Sequence, residues 1–342
     1  MSKSALLVGC NYPGTSNQLV GCINDIINMY NLLTTEYGYL PQNIVMLYDT
    51  YQTNLPQQYL IPGQGDNTPT PASQSQNLPT QANITAHLQQ LTVLSNSQTE
   101  IWFHYSGHGS KSQMLQGSGL PKNEEVIIPT DSIIPYNTFD LTKLYTADMF
   151  YAFVQTLNSN CNTVLLFDSC FSASMCELPY SFNYISGNHF QESTNKSHKI
   201  ANHNIYMFSG STDKQTSASV PESVIIPGKP SNVFVGAFTE TFIQCLKENN
   251  YNILIEPLCG EICKALIQDG LTQHPILSTS NPNPKYMFKS INISVPAPIP
   301  VHIHQPKHNL HRRRRKRNQI KVTKITSMLR KTSLRHFLLR LN

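Results

Sequence analysis

Arginine is missing from the first 300 of the 342 residues. All eight arginines lie between residues 301 and 342, together with five lysines and no acidic residue. The other 12 of the 25 basic residues share the first 300 positions with 20 acidic residues, so the formal charge of +5 combines a body at −8 with a tail at +13. This division excludes a uniformly basic protein and indicates an acidic folded body with a basic extension.

Long hydrophobic runs are also missing. No stretch reaches the roughly 18 consecutive apolar residues that a membrane-spanning helix needs, so none is predicted. The first residues, MSKSALLVGC, have the pattern of a buried strand and not of a signal peptide. We therefore expect a cytoplasmic protein that is not secreted, with the basic tail as a candidate nuclear-localisation segment.

Cysteine is sparse, with eight residues in the whole chain. This density is far below that of a disulfide-stabilised scaffold, and the cysteines are not spaced with histidines as metal ligands are. Thiols in a reducing compartment are expected. Cys259 and Cys263 lie one helical turn apart, which favours a shared helix face over a metal pair.

The body alternates short apolar runs with segments of helical periodicity. Residues 99–105 and 163–167 are rich in β-branched, aromatic and aliphatic side chains, and residues 145–157 between them have the pattern of a crossover helix. Such alternation predicts an α/β fold, a three-layer sandwich with a mainly parallel central β-sheet and helices on both faces.

Four segments divide the chain. We expect one folded domain over residues 1–293, closed by a last strand near 285–289, with a Pro-, Gln- and Asn-rich surface loop at 50–81. Thr80 is predicted to cap a helix through about Leu94. A Pro-rich linker at 294–310 then leads to the basic tail at 311–342.

Two of the predicted strands run directly into chemically reactive residues. Residues 99–105 are followed by Ser106, Gly107, His108 and Gly109, and residues 163–167 by Asp168, Ser169 and Cys170. Ligands of open α/β sheets bind at the carboxyl ends of the strands. His108 can deprotonate the Cys170 thiol, and the backbone N–H groups of Gly109 and Cys170 can bind an oxyanion. Each motif alone is more often a turn with a solvated histidine or a buried cysteine.

Taken together, the motifs resemble those of the metacaspases, caspase-fold cysteine peptidases, most closely the type I group. The similar segments appear in the family's order across about residues 4–290 and are ALLVGCNYPG, GCINDIINMYNLL, WFHYSGHGS, LLFDSCFSASMCELPY, MFSGSTDKQTSA, GAFTETFIQCL and QHPILSTS. The resemblance implies a caspase-like fold, His108 as the catalytic histidine and Cys170 as the nucleophile. It implies no cofactor for the chemistry itself.

The same resemblance implies cleavage after arginine or lysine. Asp25 and Asp168 match family positions that line the pocket for the basic side chain, with Cys22 and Ser106 beside them. Two carboxylates suit a guanidinium or an ammonium group and repel an acidic side chain. Without the resemblance, Asp25 would be read as an ordinary acid at a helix start and Asp168 as a turn former.

Many type I metacaspases are activated by calcium held by four aspartates, and the matching positions here have fewer carboxylates. Glu177 replaces one aspartate, Asp148 remains from a pair, and Glu124 lies in a shortened acidic stretch. Calcium prefers six to eight oxygen ligands. The expectation is a weakened or absent calcium site at Glu124, Asp148 and Glu177, with calcium retained as a candidate activator; these residues being ordinary surface acids is the alternative.

The sequence departs from the family pattern at two places, and the first, at Phe171 and Ala173, supports a second function class. Phe171-Ser172-Ala173 stands where His-Ser-Gly is usual, and Ser219 replaces an aspartate after QTSA. The alternative to an active Arg/Lys-specific endopeptidase is therefore a catalytically weak metacaspase-like scaffold.

The basic tail suggests a third function class, a nucleic-acid- or membrane-binding protein that acts through this tail. Its HRRRRKR run and the apolar residues that follow can bind nucleic acid or an anionic membrane, or act as a disordered solubilising extension. Because it holds all the arginines, the tail is also a candidate ligand or substrate of the protein's own cleft. Lys196 and Lys199 are internal candidates for self-processing, and a monomer is expected.

Overall fold

A computed structural model describes residues 1–49, 77–115, 121, 124–134, 138–187, 189–195, 197–211, 219–225 and 233–291. The first of two compact units spans Met1–Ile293. The linker and tail lie outside the described residues. The helices of the described part are α1 (Cys22–Thr35), α2 (Gln81–Leu94), α3 (Ala147–Thr156), α4 (Glu222–Ile225), α5 (Ala237–Glu248) and α6 (Ile255–Gln268).

Strands outnumber helices in the described part. In chain order they are β1 (Ser2–Gly9), β2 (Ile44–Tyr48), β3 (Thr99–Ser106), β4 (Gly109–Lys111), β5 (Glu125–Ile127), β6 (Ile133–Ile134), β7 (Thr138–Phe139), β8 (Tyr145–Thr146), β9 (Asn162–Asp168), β10 (Tyr180–Ser186), β11 (His189–Thr194), β12 (Ile205–Ser209), β13 (Ser219–Pro221), β14 (Phe234–Gly236), β15 (Asn252–Leu254), β16 (Ile276–Thr279) and β17 (Met287–Lys289).

Eight of these strands form the central sheet in the order β11-β10-β16-β12-β9-β3-β1-β2. The strands from β2 to β12 pair in parallel, whereas β16, β10 and β11 continue the sheet antiparallel. Parallel neighbours bring several carboxyl ends to one edge of the sheet, and this edge carries the candidate site.

Helices cover both faces of the sheet because side chains of a strand alternate between its faces. Trp102 of β3 packs into one core with residues of α1, α5 and α6. Phe103, the next residue, packs into a second core with residues of α2 and α3. Burying such an aromatic side chain stabilises the fold by about 1.5–3 kcal/mol. The predicted three-layer α/β class is confirmed.

The structure tests two local predictions, the N-cap of α2 and the end of the loop before it. The Thr80 side chain accepts a hydrogen bond from the Asn83 N–H at 3.2 Å and caps α2 as predicted. Of the predicted loop at 50–81, residues 50–76 lie outside the described part. Its end is anchored, since the Asn77 carbonyl accepts a hydrogen bond from the Tyr48 N–H at 2.9 Å. Gln81 already belongs to α2, so the predicted loop end at 81 is wrong.

The carboxyl-terminal half contains strands that the sequence does not predict. β10 and β11 pair antiparallel as a hairpin, and β16 joins them to the rest of the sheet. The predicted last strand forms as β17 but pairs with β15, outside the central sheet. All eight cysteines lie in the described part, none forms a disulfide, and Cys259 and Cys263 share a buried face of α6 as predicted. No helix of the described residues is long and apolar enough to cross a membrane.

Candidate active site

The register of the central sheet brings the two reactive segments together. β3 and β9 are parallel neighbours, and Ser106 lies opposite Asp168 at their carboxyl ends. The Gly107 N–H donates to the Asp168 carbonyl at 3.3 Å. His108 and Cys170, each two residues further on, therefore leave the sheet side by side.

Gly109 is in direct contact with the backbone of Cys170. A Cβ atom at position 109 would lie 2.1 Å from the Cys170 carbonyl oxygen, so only glycine allows this approach. The Ile128 N–H bonds to the His108 carbonyl at 3.1 Å, and antiparallel hydrogen bonds alternate along the pair. The N–H of Gly109 therefore faces away from β5, as an oxyanion donor must.

The His108 ring is fixed by a backbone carbonyl and by an aromatic neighbour. Its Nε2 lies 2.7 Å from the Asn17 carbonyl oxygen, which only accepts, so Nε2 holds the proton and neutral His108 presents an unprotonated Nδ1. The Tyr12 ring stacks on the imidazole with centroids 4.9 Å apart. Burial lowers the pKa of His108 and the Asn17 carbonyl opposes this shift, so the ring is a neutral base at physiological pH.

Tyr12 also holds the backbone of His108. Its hydroxyl accepts from the His108 N–H at 3.0 Å and donates to the Ile128 carbonyl at 2.7 Å, so it bridges two chains that would otherwise bond directly. Tyr12 has a positive φ of 50°. Asp49 stabilises this conformation, because its carboxylate accepts from the N–H groups of Asn11 and Tyr12 at 2.7 Å each.

The turn that presents Cys170 is held from within the protein. The Ser169 carbonyl accepts hydrogen bonds from the buried hydroxyls of Ser172 and Ser211, at 3.0 Å each. Phe171 adopts a left-handed conformation with φ of 52°, whereas Ala173 lies outside that region. Position 173 therefore does not require the glycine that the family pattern has there. Cys170 itself is partly exposed.

Asp25 and Asp168, here called the acid pair, lie next to the nucleophile turn. They are only 1% and 5% exposed. The Ser106 hydroxyl donates to Asp25 Oδ2 at 2.6 Å, and the Gly236 N–H donates to Asp25 Oδ1 at 2.7 Å. Burial raises the pKa of Asp25 well above its ordinary value, and the charge of Asp168 adds to this shift.

Cys22 completes the predicted pocket. It is the first residue of α1 and is buried, with its N–H bonded to the Asn11 side chain at 3.1 Å. Burial raises the pKa of the Cys22 thiol, as does the charge of Asp25, so Cys22 stays protonated. The structure thus brings the four predicted pocket residues into one cluster around Asp25.

Glu124, Asp148 and Glu177, here called the acid trio, are neighbours as well, but oxygens of Glu124 and Glu177 have other partners. Glu124 Oε1 accepts from the Asp148 N–H at 3.1 Å, and Glu177 Oε2 lies 3.0 Å from Nε2 of His198. Burial raises the pKa of Glu177 and His198 opposes the shift. The described residues contain no group of three or more His, Cys, Asp or Glu side chains arranged to hold a metal. The trio in this arrangement does not fit calcium.

The two processing candidates differ in what the structure describes. Lys196 lies outside the described residues. Lys199 is exposed, and its carbonyl accepts from the Tyr151 hydroxyl at 3.4 Å.

Four residues at this edge of the sheet have no prediction from sequence. They are Tyr12 and Asn17 beside His108, and Gly236 and Thr239 beside the acid pair. Their partners at the site lie from 71 to 211 residues away along the chain, and Tyr12 and Asn17 lie in the segment that follows β1. Only the position of Tyr12 and Asn17 just after a parallel strand was a usable signal.

A thiol and an imidazole at adjacent strand ends of this sandwich are the groups that a caspase-type cysteine hydrolase uses. The model of the metacaspase peptidase C14 domain matches residues 3–179, more than half of the chain. The chain therefore belongs to the metacaspases, a family of cysteine-type endopeptidases, and the predicted resemblance is confirmed.

Individual relatives agree with this family. Metacaspase-1 of Kluyveromyces lactis is 29% identical over 82% of this chain and 66% of its own length. Metacaspase-1 of Cryptococcus neoformans var. neoformans is 27% identical over 82% of this chain and 63% of its own length. The chain thus spans just under two thirds of both relatives. A solved structure from Geobacter sulfurreducens has the same fold, with a TM-score of 0.51 at 15% identity, covering 84% of this chain and 97% of that one.

Proposed function

We propose that this chain is a cysteine endopeptidase that cleaves peptide bonds after arginine or lysine. The observation that carries the proposal is the acid pair, which is buried beside the turn of Cys170 and accepts hydrogen bonds at Asp25 from Ser106 and Gly236. A basic side chain in this place compensates two buried negative charges, whereas an aspartate side chain adds a third.

The chemistry begins at the thiol. Nδ1 of His108 takes the Cys170 proton, and the thiolate sulfur attacks the carbonyl carbon that follows the basic residue. The N–H groups of Gly109 and Cys170 stabilise the oxyanion that forms. The C–N bond then breaks as His108 returns the proton to the leaving amine, and a thioester remains on Cys170. Water, deprotonated by His108, attacks the thioester carbon, and the C–S bond breaks as His108 returns the proton to the Cys170 sulfur. The acid product loses its proton to solvent and leaves as a carboxylate.

Asn17 and Tyr12 support His108 in this sequence. The Asn17 carbonyl on Nε2 fixes the tautomer and stabilises the imidazolium that exists between the two proton transfers, since it accepts from a charged donor. The stacked Tyr12 ring limits rotation of the imidazole. No third side chain is needed to hold the histidine in this account.

The test is the hydrolysis of fluorogenic peptides that differ only in the residue before the cleaved bond. Arginine and lysine peptides should be cleaved and an aspartate peptide should not. Cys170→Ala and His108→Ala should each reduce kcat/KM by at least about a thousandfold. Cleavage of the aspartate peptide, or equal rates for all three, would contradict the specificity; full activity of Cys170→Ala would contradict the nucleophile.

The same assay decides the scaffold alternative. Phe171 is the departure from the family pattern that lies nearest the nucleophile, because it directly follows Cys170, and it adopts a left-handed conformation. If wild type and Cys170→Ala hydrolyse the arginine peptide equally slowly, the chain acts as a scaffold. Phe171→Gly is the variant that relaxes this turn, since glycine adopts a positive φ without strain.

We also propose that the arginine-rich tail at 311–342 is a substrate of the same site. The support is charge: the tail has basic residues and no acid, and the pocket has two carboxylates. Intact-mass measurement after incubation should show a shortened carboxyl terminus in wild type and a complete one in Cys170→Ala. Identical masses would exclude self-trimming. The same mass measurements also report cleavage after Lys196 or Lys199.

Nucleic-acid or membrane binding by the tail remains a prediction, tested by the salt dependence of binding to the full chain.

A further inference from the structure

Both carboxylates of the acid pair are held by one short stretch, the turn from β14 into α5. The Gly236 N–H donates to Asp25 Oδ1 at 2.7 Å. Three residues later, the Thr239 N–H and hydroxyl both donate to Asp168 Oδ2, at 2.9 and 2.7 Å. The sequence gives no role to either residue, because α5 is remote along the chain from both aspartates.

The start of α5 favours negative charge. Gly236 is its N-cap residue, and the first N–H groups of a helix have no partner within the helix. The positive end of the helix dipole also faces the two carboxylates. These donors oppose the repulsion between Asp25 and Asp168 and the cost of burying both charges. Glu240, a buried acid on the same turn, adds to the repulsion on Asp25.

Thr239 is itself held by a buried histidine. Nε2 of His104 lies 3.2 Å from the Thr239 hydroxyl oxygen. Because the single Thr239 hydroxyl proton goes to Asp168, the hydroxyl oxygen accepts and His104 donates. His104 is fully buried, and burial lowers its pKa to about 3, so it is a neutral donor. The chain from His104 through Thr239 to Asp168 fixes one oxygen of the pocket.

Gly236 also sets the spacing between the two acids. A Cβ atom at this position would lie 2.2 Å from Asp168 Oδ2 and 2.6 Å from Asp25 Oδ2. The backbone angles of Gly236, φ −68° and ψ 125°, suit any residue. The requirement for glycine therefore comes from the carboxylates and not from the backbone, and any side chain here must displace one or both of them.

We infer that Gly236 and Thr239 are positioning residues for substrate specificity, which hold Asp25 and Asp168 as a close pair of carboxylates that selects a positively charged side chain. This inference rests on the proposed Arg/Lys specificity and extends it to residues that do not touch the substrate. The hydroxyl of Thr239 and the absence of a side chain at position 236 are the two features that the inference requires.

The test uses two fluorogenic peptides that are identical except for arginine or citrulline before the cleaved bond. Citrulline has nearly the shape of arginine but no charge, so the ratio of the two kcat/KM values measures recognition of charge. Thr239→Val keeps the shape of the side chain and removes the hydroxyl. It should lower the ratio by about tenfold, the loss expected for a hydrogen bond to a charged group. Thr239→Ser should restore the ratio to within about twofold of wild type.

Gly236→Ala is the second variant and should also lower the ratio, because the added methyl group displaces one or both carboxylates. Thermal unfolding of each variant checks the fold. A ratio unchanged in both Thr239→Val and Gly236→Ala overturns the inference, as does a parallel loss of both rates, which indicates a merely structural role. A wild-type ratio near one overturns the Arg/Lys specificity itself, so the two failures are distinguishable.

Discussion

The acid pair and the acid trio are both clusters of carboxylates that the family resemblance assigns to the binding of a cation, yet their surroundings differ. The acid pair is buried and accepts hydrogen bonds from backbone and hydroxyl donors that favour its charged form. In the trio, Glu177 is half-exposed and faces a histidine, and Glu124 accepts from a backbone N–H. The comparison teaches that the acid pair is held by donors without formal charge, which do not neutralise it, whereas Glu177 of the trio has a histidine partner.

The largest expected difference between the two clusters is in how much the loss of one carboxylate charge lowers enzyme activity. Asp168→Asn should reduce kcat/KM for an arginine peptide by about a hundredfold or more, because it removes the charge partner of a buried cation. Glu177→Gln should change it by less than about twofold. Glu192→Gln, an exposed acid on β11, is the matched control. Equal losses in Asp168→Asn and Glu177→Gln would remove the distinction between the clusters.

A pH dependence sharpens the assignment of the acid pair. The pKa of Asp25 is raised, so one negative charge of the pocket is lost at a higher pH than an ordinary aspartate would allow. As the pH falls through this pKa, the arginine-to-citrulline ratio of kcat/KM should fall, by about tenfold if one charged contact is lost. His108 affects both peptides equally and cancels from the ratio. A ratio that stays constant down to the pKa of an ordinary carboxyl would contradict the raised pKa of Asp25.

Removing the charge of Asp25 should stabilise the fold, although it should weaken the recognition of arginine. The folded-state pKa of Asp25 lies above its unfolded value, so ionised Asp25 costs stability at neutral pH and this cost disappears as the pH falls. Asp25→Asn should therefore raise the free energy of unfolding at neutral pH by about 0.5–2 kcal/mol, a usual gain when a functional site is relaxed. Denaturant unfolding at neutral and mildly acidic pH measures it. A gain that grows on acidification would refute the sign.

The smallest effects are expected at the trio. Its contact between Glu177 and His198 is partly exposed, so Glu177→Gln should lower the free energy of unfolding by less than about 1 kcal/mol. Adding calcium to chelator-treated enzyme should change kcat/KM by less than about twofold. A large calcium activation that Glu177→Gln abolishes would show that the trio rearranges into a metal site.

Those parts of the fold that depend on a local pattern of apolar residues can be predicted from the sequence. The apolar runs of β3 and β9 predict buried strands, and their order predicts that His108 and Cys170 meet at one edge. The resemblance adds Asp25, which lies on α1 and has no local signal of its own. The antiparallel hairpin of β10 and β11 was not predicted, because β11 is an exposed edge strand with little apolar alternation.

The residues that hold the site are harder to predict, because their contacts are made by tertiary packing. The Thr239 hydroxyl reaches Asp168 across 71 residues, and the Gly236 N–H reaches Asp25 across 211. Tyr12 contributes a hydroxyl between two backbone groups of distant segments. Nothing in the composition around Gly236 or Thr239 distinguishes this helix start from any other.

Covalent labelling tests most directly whether Cys170 and the acid pair form one site. A peptide chloromethyl ketone alkylates an active thiolate, and arginyl and aspartyl versions differ only in the side chain that the pocket receives. The other seven cysteines are buried, so peptide mapping identifies the labelled residue. The account predicts that the arginyl reagent labels Cys170 at least about a hundredfold faster than the aspartyl reagent and that Asp168→Asn removes this preference. Labelling of another cysteine, or equal rates for both reagents in wild type, would contradict it.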